Sequence, residues 1–280
     1  MKGYLQALLY IFTMAISIVW VSHLGDGISV AFLLLGVSLV AMLFFNLLRI
    51  RYFMRNHKTI LQTPGLWLAM SISMLLVWWL SYYSTIHASA SFTMALLFLW
   101  QALAAAIVKK HWIAVLLSLI VWLAIYYLAP KATPLTFLTA TLAGILAYIY
   151  YRSSLAYANR HRIAALDILA IRFYPLFIFS CLYILLEIKQ GIPLYTYSYL
   201  LPVLIFLLIL GFLNMILPNF LSQNSVQHIG VERFSFITTW IPVLTFLLQG
   251  IFLHTWSLSL LAACLLTSLV LNLEAWLKRK

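Results

Sequence analysis

Charged side chains are scarce in this sequence of 280 residues: they make up 8% of the chain, and only five of them are acidic. Soluble domains carry about 25% charged residues. Water could not solvate a surface with so few charges, so the composition excludes a soluble globular protein. Hydrophobic residues make up 65% of the chain. We therefore interpret it as an integral membrane protein.

Cysteine is scarce as well. Cys181 and Cys264 lie inside separate apolar stretches. They build no disulfide framework, and no Cys or His spacing typical of a bound metal occurs. The glycine-rich phosphate-binding loop is also missing, so ATP does not drive this protein directly. The sequence thus predicts no metal site, no cofactor, no catalytic residues and no enzyme activity.

Apolar stretches of about 20 residues, the length that crosses a bilayer, follow one another along the whole chain. We predict an all-α membrane protein with ten transmembrane helices, at 4–22, 28–48, 64–83, 88–108, 111–128, 134–152, 164–187, 198–222, 232–252 and 256–276. Aromatic residues near the ends of these spans are typical of the belts at membrane interfaces. They are Trp20, Tyr82, Tyr83, Tyr126, Tyr127, Tyr150, Tyr151 and Trp276.

The Lys and Arg residues fall almost entirely on one side of the ten spans. The net charge of +12 would suggest nucleic acid in a soluble protein, but here the cations lie in short connections, so we predict no nucleic-acid partner. The positive-inside rule places both termini in the cytoplasm, and we expect a bacterial inner-membrane protein embedded in the lipid bilayer. The outer side holds Lys131 and Lys189. The inner side holds Lys2, Arg49, Arg51, Arg55, Lys58, Lys109, Lys110, Arg152, Arg160, Arg162, Arg233, Lys278, Arg279 and Lys280.

The chain also repeats itself at an offset of 144 residues. The stretch 111–114 opens the fifth span and 255–258 opens the tenth, and the hairpin 82–108 overlays 226–252 without a gap. We predict two five-helix repeats, at 1–130 and 131–280. Because five is odd, the second repeat inserts upside down relative to the first. Inverted repeats are a signature of secondary transporters.

Each repeat contains a helix, a polar turn with small residues and a second helix, at Leu80–Ser91 and at Leu221–Arg233. On these stretches and the repeat, the chain resembles the EamA-like group of the drug/metabolite transporter superfamily. It departs from the family where Lys109-Lys110-His111 and His254 replace an acidic residue. The resemblance implies alternating access and a cavity lined by the first, third, fourth, sixth, eighth and ninth spans. We expect that a monomer suffices, with a homodimer as the alternative.

Arg172 is the one Lys or Arg well inside a predicted span, about eight residues or roughly 12 Å beyond its cytoplasmic end. A charge at that depth marks a functional residue by default, and a guanidinium suits a carboxylate or phosphate. The alternative is that Arg172 snorkels to the headgroups or pairs with a backbone carbonyl. Asp167 is a poor partner, about 140° away on the helix. Pro175 and Pro242 are predicted to bend their spans and free carbonyls.

Uncharged polar and aromatic side chains also fall near the middle of the predicted spans. We expect them to face the bundle interior, either as contacts between helices or as substrate ligands. Trp100 and Trp240 fall at one depth, where indoles can stack on an aromatic solute or attract a cation; Trp78 either extends that surface or faces lipid. The predicted substrate-binding residues are Trp100, Gln101, Arg172, Asn214, Thr239, Trp240, Trp78 and Thr13.

Together these features predict a secondary transporter of a small polar metabolite, an amino acid or a related zwitterion or anion held by Arg172. A cationic or aromatic solute held by Trp100 and Trp240 is the alternative substrate class. Because no carboxylate or imidazole is predicted at the midplane, we favour exchange or facilitated transport over proton coupling. Two other classes stay open: an intramembrane enzyme using His161 and Asp167, and a non-transporting membrane partner whose core would hold no polar cavity.

Overall fold

The computed structural model describes residues 2–24, 27–128, 132–195 and 200–277. Asp26, Pro130, Lys131, Lys278–Lys280 and the side chain of Trp276 lie outside this description. The helices are α1 (Lys2–Leu24), α2 (Val30–Leu48), α3 (Phe53–Gln62), α4 (Pro64–His87), α5 (Ala90–Val108), α6 (Trp112–Leu128), α7 (Pro134–His161), α8 (Ala165–Arg172), α9 (Tyr174–Lys189), α10 (Leu200–Leu210), α11 (Leu217–Ile229), α12 (Val231–Thr238), α13 (Ile241–Leu253) and α14 (Leu258–Leu277). A π-helical segment, Gly211–Ile216, joins α10 to α11.

The described residues form an all-α membrane protein, as predicted. Eight helical stretches are long and apolar enough to cross a membrane, and they correspond to the first four predicted spans and to the sixth through ninth. The predicted fifth and tenth spans are helices too, but their apolar parts, Trp112–Tyr127 and Leu258–Leu269, are shorter. The seventh, eighth and ninth spans each comprise two α-helices in succession.

Hydroxyl side chains begin several of these helices. Ser29, Ser89 and Thr133 each accept a hydrogen bond from the backbone N–H three residues on, at 3.1, 3.3 and 3.2 Å. Each bond satisfies one of the N–H groups that a helix leaves without an intrahelical partner at its start. Such caps matter at a membrane boundary because little water is available to substitute for them.

The helices of the two halves of the chain pack against one another rather than into separate bundles. Helices α4 and α5 of the first half both lie along α7 of the second. Helices α11 and α13 of the second half both lie along α1 of the first. Three further pairs cross between the halves: α2 with α9, α5 with α13, and α6 with α14. The interior is therefore built jointly by residues far apart in sequence.

Proline interrupts three of the spans in the second half, which confirms the expectation for Pro175 and Pro242. Pro175 follows the break between α8 and α9, and Pro242 follows the break between α12 and α13. Pro218 lies directly after the π-helical segment. A proline inside a helix has no N–H and its ring crowds the preceding turn, so the regular α-helix is interrupted beside each of these prolines.

The helix α7 is longer than predicted, and this corrects part of the aromatic belt. It continues past position 152 to His161, so Tyr150 and Tyr151 lie within the helix and are buried. Tyr82 is also buried and donates to the side chain of Asn214 at 2.7 Å. Tyr157 lies in the added turns and hydrogen bonds to Thr59 of α3 at 2.6 Å. The added turns contact the region of α3 through the bonds of Tyr157 with Thr59 and of His161 with Thr63, which the local sequence pattern does not show.

Helices α5 and α7 approach closely at Gly144. A Cβ added there would overlap the backbone carbonyl oxygen of Leu97 and lie 2.7 Å from the Cβ of Trp100. Neither neighbour is the free end of a flexible side chain. The absence of a side chain at Gly144 therefore sets the distance between the two helices.

We predict that Gly144→Ala lowers stability by about 1–3 kcal/mol, because overpacking would push α5 and α7 apart. Thermal unfolding of the purified protein in detergent measures the change as a lower midpoint. Gly65→Ala is the matched control, since an added Cβ there meets nothing within 4 Å. Equal midpoints for the two variants would contradict a close approach at Gly144.

Candidate functional site

The break between α8 and α9 places Arg172 at the end of a helix, and the surrounding side chains fit that break. Because Pro175 has no N–H, the carbonyl of Ile171 lacks its usual helical donor. Trp67 Nε1 of α4 donates to that carbonyl at 2.9 Å. The neighbouring carbonyl, of Ala170, accepts from Asn46 Nδ2 at 2.8 Å. The interruption is thus part of the packed structure.

The guanidinium of Arg172 is fully buried, with 0% of the residue exposed. Its Nη1 donates to Tyr150 Oη and, at 3.0 Å, to Gln223 Oε1, and its Nη2 donates to Asn219 Oδ1 at 2.5 Å. The guanidinium also lies 5.1 Å from the ring centroids of Tyr150 and Phe173. Arg172 therefore does not snorkel to a membrane surface, and its partners among the described residues are neutral side-chain oxygens rather than backbone carbonyls.

Helix α11 supplies two of these partners from one polar face. Asn219, Ser222 and Gln223 stand at positions i, i+3 and i+4, so they project from the same side of the helix. All three are buried. Gln223 Oε1 accepts from Ser154 Oγ at 2.7 Å as well as from Arg172. The face thus joins α7, α8 and α11 through hydrogen bonds.

A cavity of about 30 Å³ lies beside this network, enough for one or two water molecules. Tyr150 and Asn219 belong both to its wall and to the partners of Arg172. The wall comes from α1, α4, α5, α7 and α11, which are the first, third, fourth, sixth and eighth predicted spans. Its polar lining consists of Tyr10, Trp78, Ser81, Gln101, Tyr150, Tyr151, Asn219 and Ser222.

The structure brings some of the predicted site residues together around this cavity. Trp78 and Gln101 line it directly, and Arg172 lies behind Tyr150. Asn214 instead joins three helices: its Oδ1 accepts from Tyr82 and its Nδ2 donates to Ser17 at 2.8 Å.

The remaining predicted site residues do not line the cavity. The Thr13 hydroxyl donates back to carbonyls of its own helix at 3.0 and 3.1 Å. Trp100 packs edge-on against Trp122 of α6 at 5.7 Å between ring centroids. The Thr239 side chain accepts from Asn272 of α14 at 3.2 Å, and Trp240 is 42% exposed on the outside of the bundle. Trp100 and Trp240 therefore do not form a joint surface in the cavity, because Trp100 packs against α6 and Trp240 is exposed.

Several residues of the site were missed by the sequence prediction. Tyr150 and Tyr151 were assigned to the interface because α7 was expected to end at position 152. The signal for Asn219, Ser222 and Gln223 was present in their helical spacing inside an apolar stretch. No sequence signal pointed to Tyr10, whose hydroxyl lies 3.4 Å from that of Tyr151.

A second charged cluster joins the end of α2, the helix α3 and the start of α8. We call this region, which contains Arg49, Arg55, Asn56 and Asp167, the α3 end of the bundle. Asp167 is buried and accepts from Arg49 at 2.8 Å, from Arg55 at 3.1 Å and from Asn56 at 3.0 Å. The guanidinium carbons of both arginines lie 4.3 and 4.4 Å from the ring centroid of Tyr52. As expected, Asp167 pairs with residues other than Arg172.

Within the described part of the chain, no group of three or more His, Cys, Asp or Glu side chains could hold a metal ion. His161, considered above as an enzyme candidate, hydrogen bonds through Nε2 to Thr63 Oγ1 at 2.7 Å. Asp167 is held by Arg49 and Arg55. These two side chains thus serve different contacts and do not form a nucleophile–base pair.

No protein-family model matches the sequence, and no curated protein matches it. One solved crystal structure is similar over 98% of this chain and 97% of its own, with a TM-score of 0.59 and 15% sequence identity. At that identity the likeness shows a shared fold. It carries no statement about activity.

We predict that Asp167→Asn destabilises the protein by about 1–3 kcal/mol, between the values typical of buried and of exposed ion pairs, because Arg49 and Arg55 are partly exposed. The control is Glu232→Gln. Glu232 pairs with Arg152 at 3.1 Å in an exposed position, where the loss is about 0–1 kcal/mol. Thermal unfolding in detergent gives both values; a larger loss for Glu232→Gln would contradict the role assigned to Asp167.

Proposed function

We propose that this protein is a secondary transporter that moves a small polar metabolite, an amino acid or a related zwitterion or anion, by alternating access. One observation carries the proposal: a fully buried arginine, without a carboxylate partner among the described residues, adjoins a small cavity between helices whose wall combines apolar and polar side chains. Keeping a charge inside a membrane protein costs several kcal/mol, and such residues commonly mark substrate or ion pathways. We further propose ten spans and membership of the EamA-like transporters.

The packing of the helices supports an inverted repeat. If each span of the first repeat corresponds to the span five places later, the packing of α4 on α7 matches that of α11 on α1. The packing of α5 on α7 likewise matches that of α13 on α1. In three further pairs, each helix packs against its own counterpart in the other repeat: α2 with α9, α5 with α13 and α6 with α14. Two-fold pairing of this kind is typical of transporters whose halves open alternately to either side.

The broken helices support the same proposal. Many transporters bind their substrate where spans are discontinuous, because unwound turns expose backbone groups and charged ends. Here Arg172 ends α8, and Pro218 begins the helix that carries Asn219 and Ser222. Pro218 lines the cavity, and Arg172 contacts the cavity wall through Tyr150. Five of the six spans expected from the resemblance contribute to its wall.

The α3 end of the bundle is the proposed cytoplasmic side of a bacterial inner membrane. Contacts there join several basic connections: Arg49 with Asp167, and His161 with Thr63. The start of α1 and the end of α11 also meet through a hydrogen bond from Ser225 to the carbonyl of Gly3 at 2.9 Å. Because the predicted inner cations lie beside these positions, the packing supports the predicted topology.

A cationic or aromatic solute is the second candidate substrate, and the aromatic wall of the cavity favours it. Trp78, Tyr10 and Tyr151 could attract a cation through their ring faces, by about 0.5–2 kcal/mol. A cation about 7 Å from the guanidinium of Arg172 would meet a repulsion of about 2 kcal/mol at an effective dielectric constant of 20. The two effects offset each other, so the proposal favours an anionic or zwitterionic substrate.

Alternating access predicts that the cavity opens to each side of the membrane in turn. We expect a cysteine at Ser222, in a background of Cys181→Ala and Cys264→Ala, to react with a membrane-impermeant thiol reagent added to either side of proteoliposomes. Ser222 is buried in the cavity wall, so labelling reports how often the helices separate. The rate is measured by mass spectrometry.

Ser118→Cys in the same background is the control, because Ser118 is fully buried on α6 and does not line the cavity. Labelling at position 222 should be at least about tenfold faster than at position 118, since packed cores open rarely. Reaction from only one side would count against alternating access. Equal, slow labelling at both positions would favour a non-transporting membrane protein.

A further inference from the structure

The substrate class can be narrowed from the charges around the cavity. The sequence has five carboxylates, and three are described: Asp167 pairs with Arg49 and Arg55, Glu187 accepts from Ser29 at 2.9 Å, and Glu232 pairs with Arg152. No acidic side chain lies among the residues that line the cavity. Within the described structure, the charge of Arg172 is therefore not neutralised by an ion pair.

The network around Arg172 also leaves hydrogen-bond donors without acceptors. Among the described contacts, neither Arg172 Nε nor Gln223 Nε2 has a partner. Arginine stays protonated in proteins and only donates. A buried donor without an acceptor is costly, so the surroundings of Arg172 compensate its charge incompletely, and an anion bound nearby would supply the missing negative charge.

Tyr150 connects this positive charge to the cavity. Its hydroxyl oxygen accepts from Arg172, so its own proton is free to be donated elsewhere. The residue lines the cavity, whereas Arg172 does not. An anion that accepts from Tyr150 would lie two hydrogen bonds, or about 5–6 Å, from the guanidinium. The hydroxyl is polarised by the guanidinium and is a stronger donor for that reason.

The apolar residues of the cavity wall suit an uncharged body. Met14, Met74, Val77, Leu97 and Phe98 contribute apolar surface. The amide of Gln101 is the neutral acceptor on that wall: its Nε2 donates to Ser235 at 3.0 Å, and its Oε1 has no partner among the described residues. An ammonium group would find no carboxylate there. It would have only this neutral acceptor and the aromatic rings, and it would be repelled by the charge of Arg172, so a zwitterion and a cation are both at a disadvantage against a plain carboxylate.

We propose that the site binds an organic monoanion, a carboxylate with an aromatic or alkyl body, and that the Tyr150 hydroxyl donates to it under the charge of Arg172. The cavity holds only one or two water molecules in this structure, so such a ligand enters when the surrounding helices separate, as alternating access requires. This inference deepens the proposed function and rests on it for the role of the cavity. It narrows the substrate class stated above from zwitterions and anions to anions, and it assigns Tyr150 as a specificity-determining residue.

Three compounds that share a phenyl body and differ in their head groups test the inference: 3-phenylpropionate, phenylalanine and 2-phenylethylamine. Hexanoate, norleucine and pentylamine form the equivalent alkyl set. Each is added to the purified protein in detergent at concentrations up to about 10 mM, which fills a site of millimolar Kd. A ligand that binds only the folded state raises the unfolding midpoint. We expect a carboxylate to do so and its amine counterpart not to.

Variants separate recognition from folding. Tyr150→Phe keeps the ring and removes the donor, and Arg172→Gln removes the charge; each should weaken carboxylate binding at least about tenfold, as for a lost hydrogen bond to a charged group. Arg172→Lys should retain part of the affinity. Tyr148→Phe is the matched control, since Tyr148 lies two residues away on α7, is buried and does not line the cavity. Unchanged binding is expected there.

The outcomes distinguish this inference from the proposed function. Stabilisation by neither carboxylate, equal or stronger binding of an amine or amino acid, or unchanged affinity in Tyr150→Phe would overturn the inference. Counterflow of labelled 3-phenylpropionate or hexanoate into proteoliposomes tests transport separately. Binding without flux would leave the anion site intact and contradict transport, whereas flux of an amine alone would support transport and contradict the anion site.

Discussion

The buried guanidinium of Arg172 is the constraint on which the interior depends. A charge without a carboxylate partner inside a membrane protein is tolerated only if neutral dipoles surround it. Tyr150 of α7 and Asn219 and Gln223 of α11 meet that need, and Ser154 holds Gln223 in turn. These bonds also tie the end of α8 to two helices of the cavity wall. The same hydrogen bonds thus stabilise the buried charge of Arg172 and hold α7, α8 and α11 together.

Sequence reasoning predicted the membrane helices, two of the helix breaks and the position of Arg172 within its span. Apolar length and charge asymmetry indicated membrane helices, and Pro175 and Pro242 indicated breaks that are present. Arg172 stood out because it lies far from either end of its span. These predictions succeed because span length, proline chemistry and the cost of burying charge are local properties of the chain.

What sequence reasoning could not supply was the rotation of each helix about its axis. Trp100 and Trp240 share a depth, yet one packs against α6 and the other faces outward. Depth follows from position along a span, but the side that a residue faces follows from packing against distant helices. Tyr150 is predicted at the membrane interface for a related reason. The local sequence pattern ends the sixth span at position 152 and does not show the contacts of Thr59 and Thr63 with the last turns of α7, which continues to His161. Tertiary contacts, rather than local pattern, determined these residues.

The short helix α8 has charged residues near both ends: Asp167 in its first turn and Arg172 at its last position. Five residues of α-helix separate them by about 7.5 Å, and a helix this short does not bend appreciably. Its two ends therefore move as one body. If the ion pairs of Asp167 with Arg49 and Arg55 opened and α8 shifted as one body, the guanidinium would move relative to Tyr150. By reciprocal linkage, a ligand that holds Arg172 in place also strengthens the closure of the α3 end.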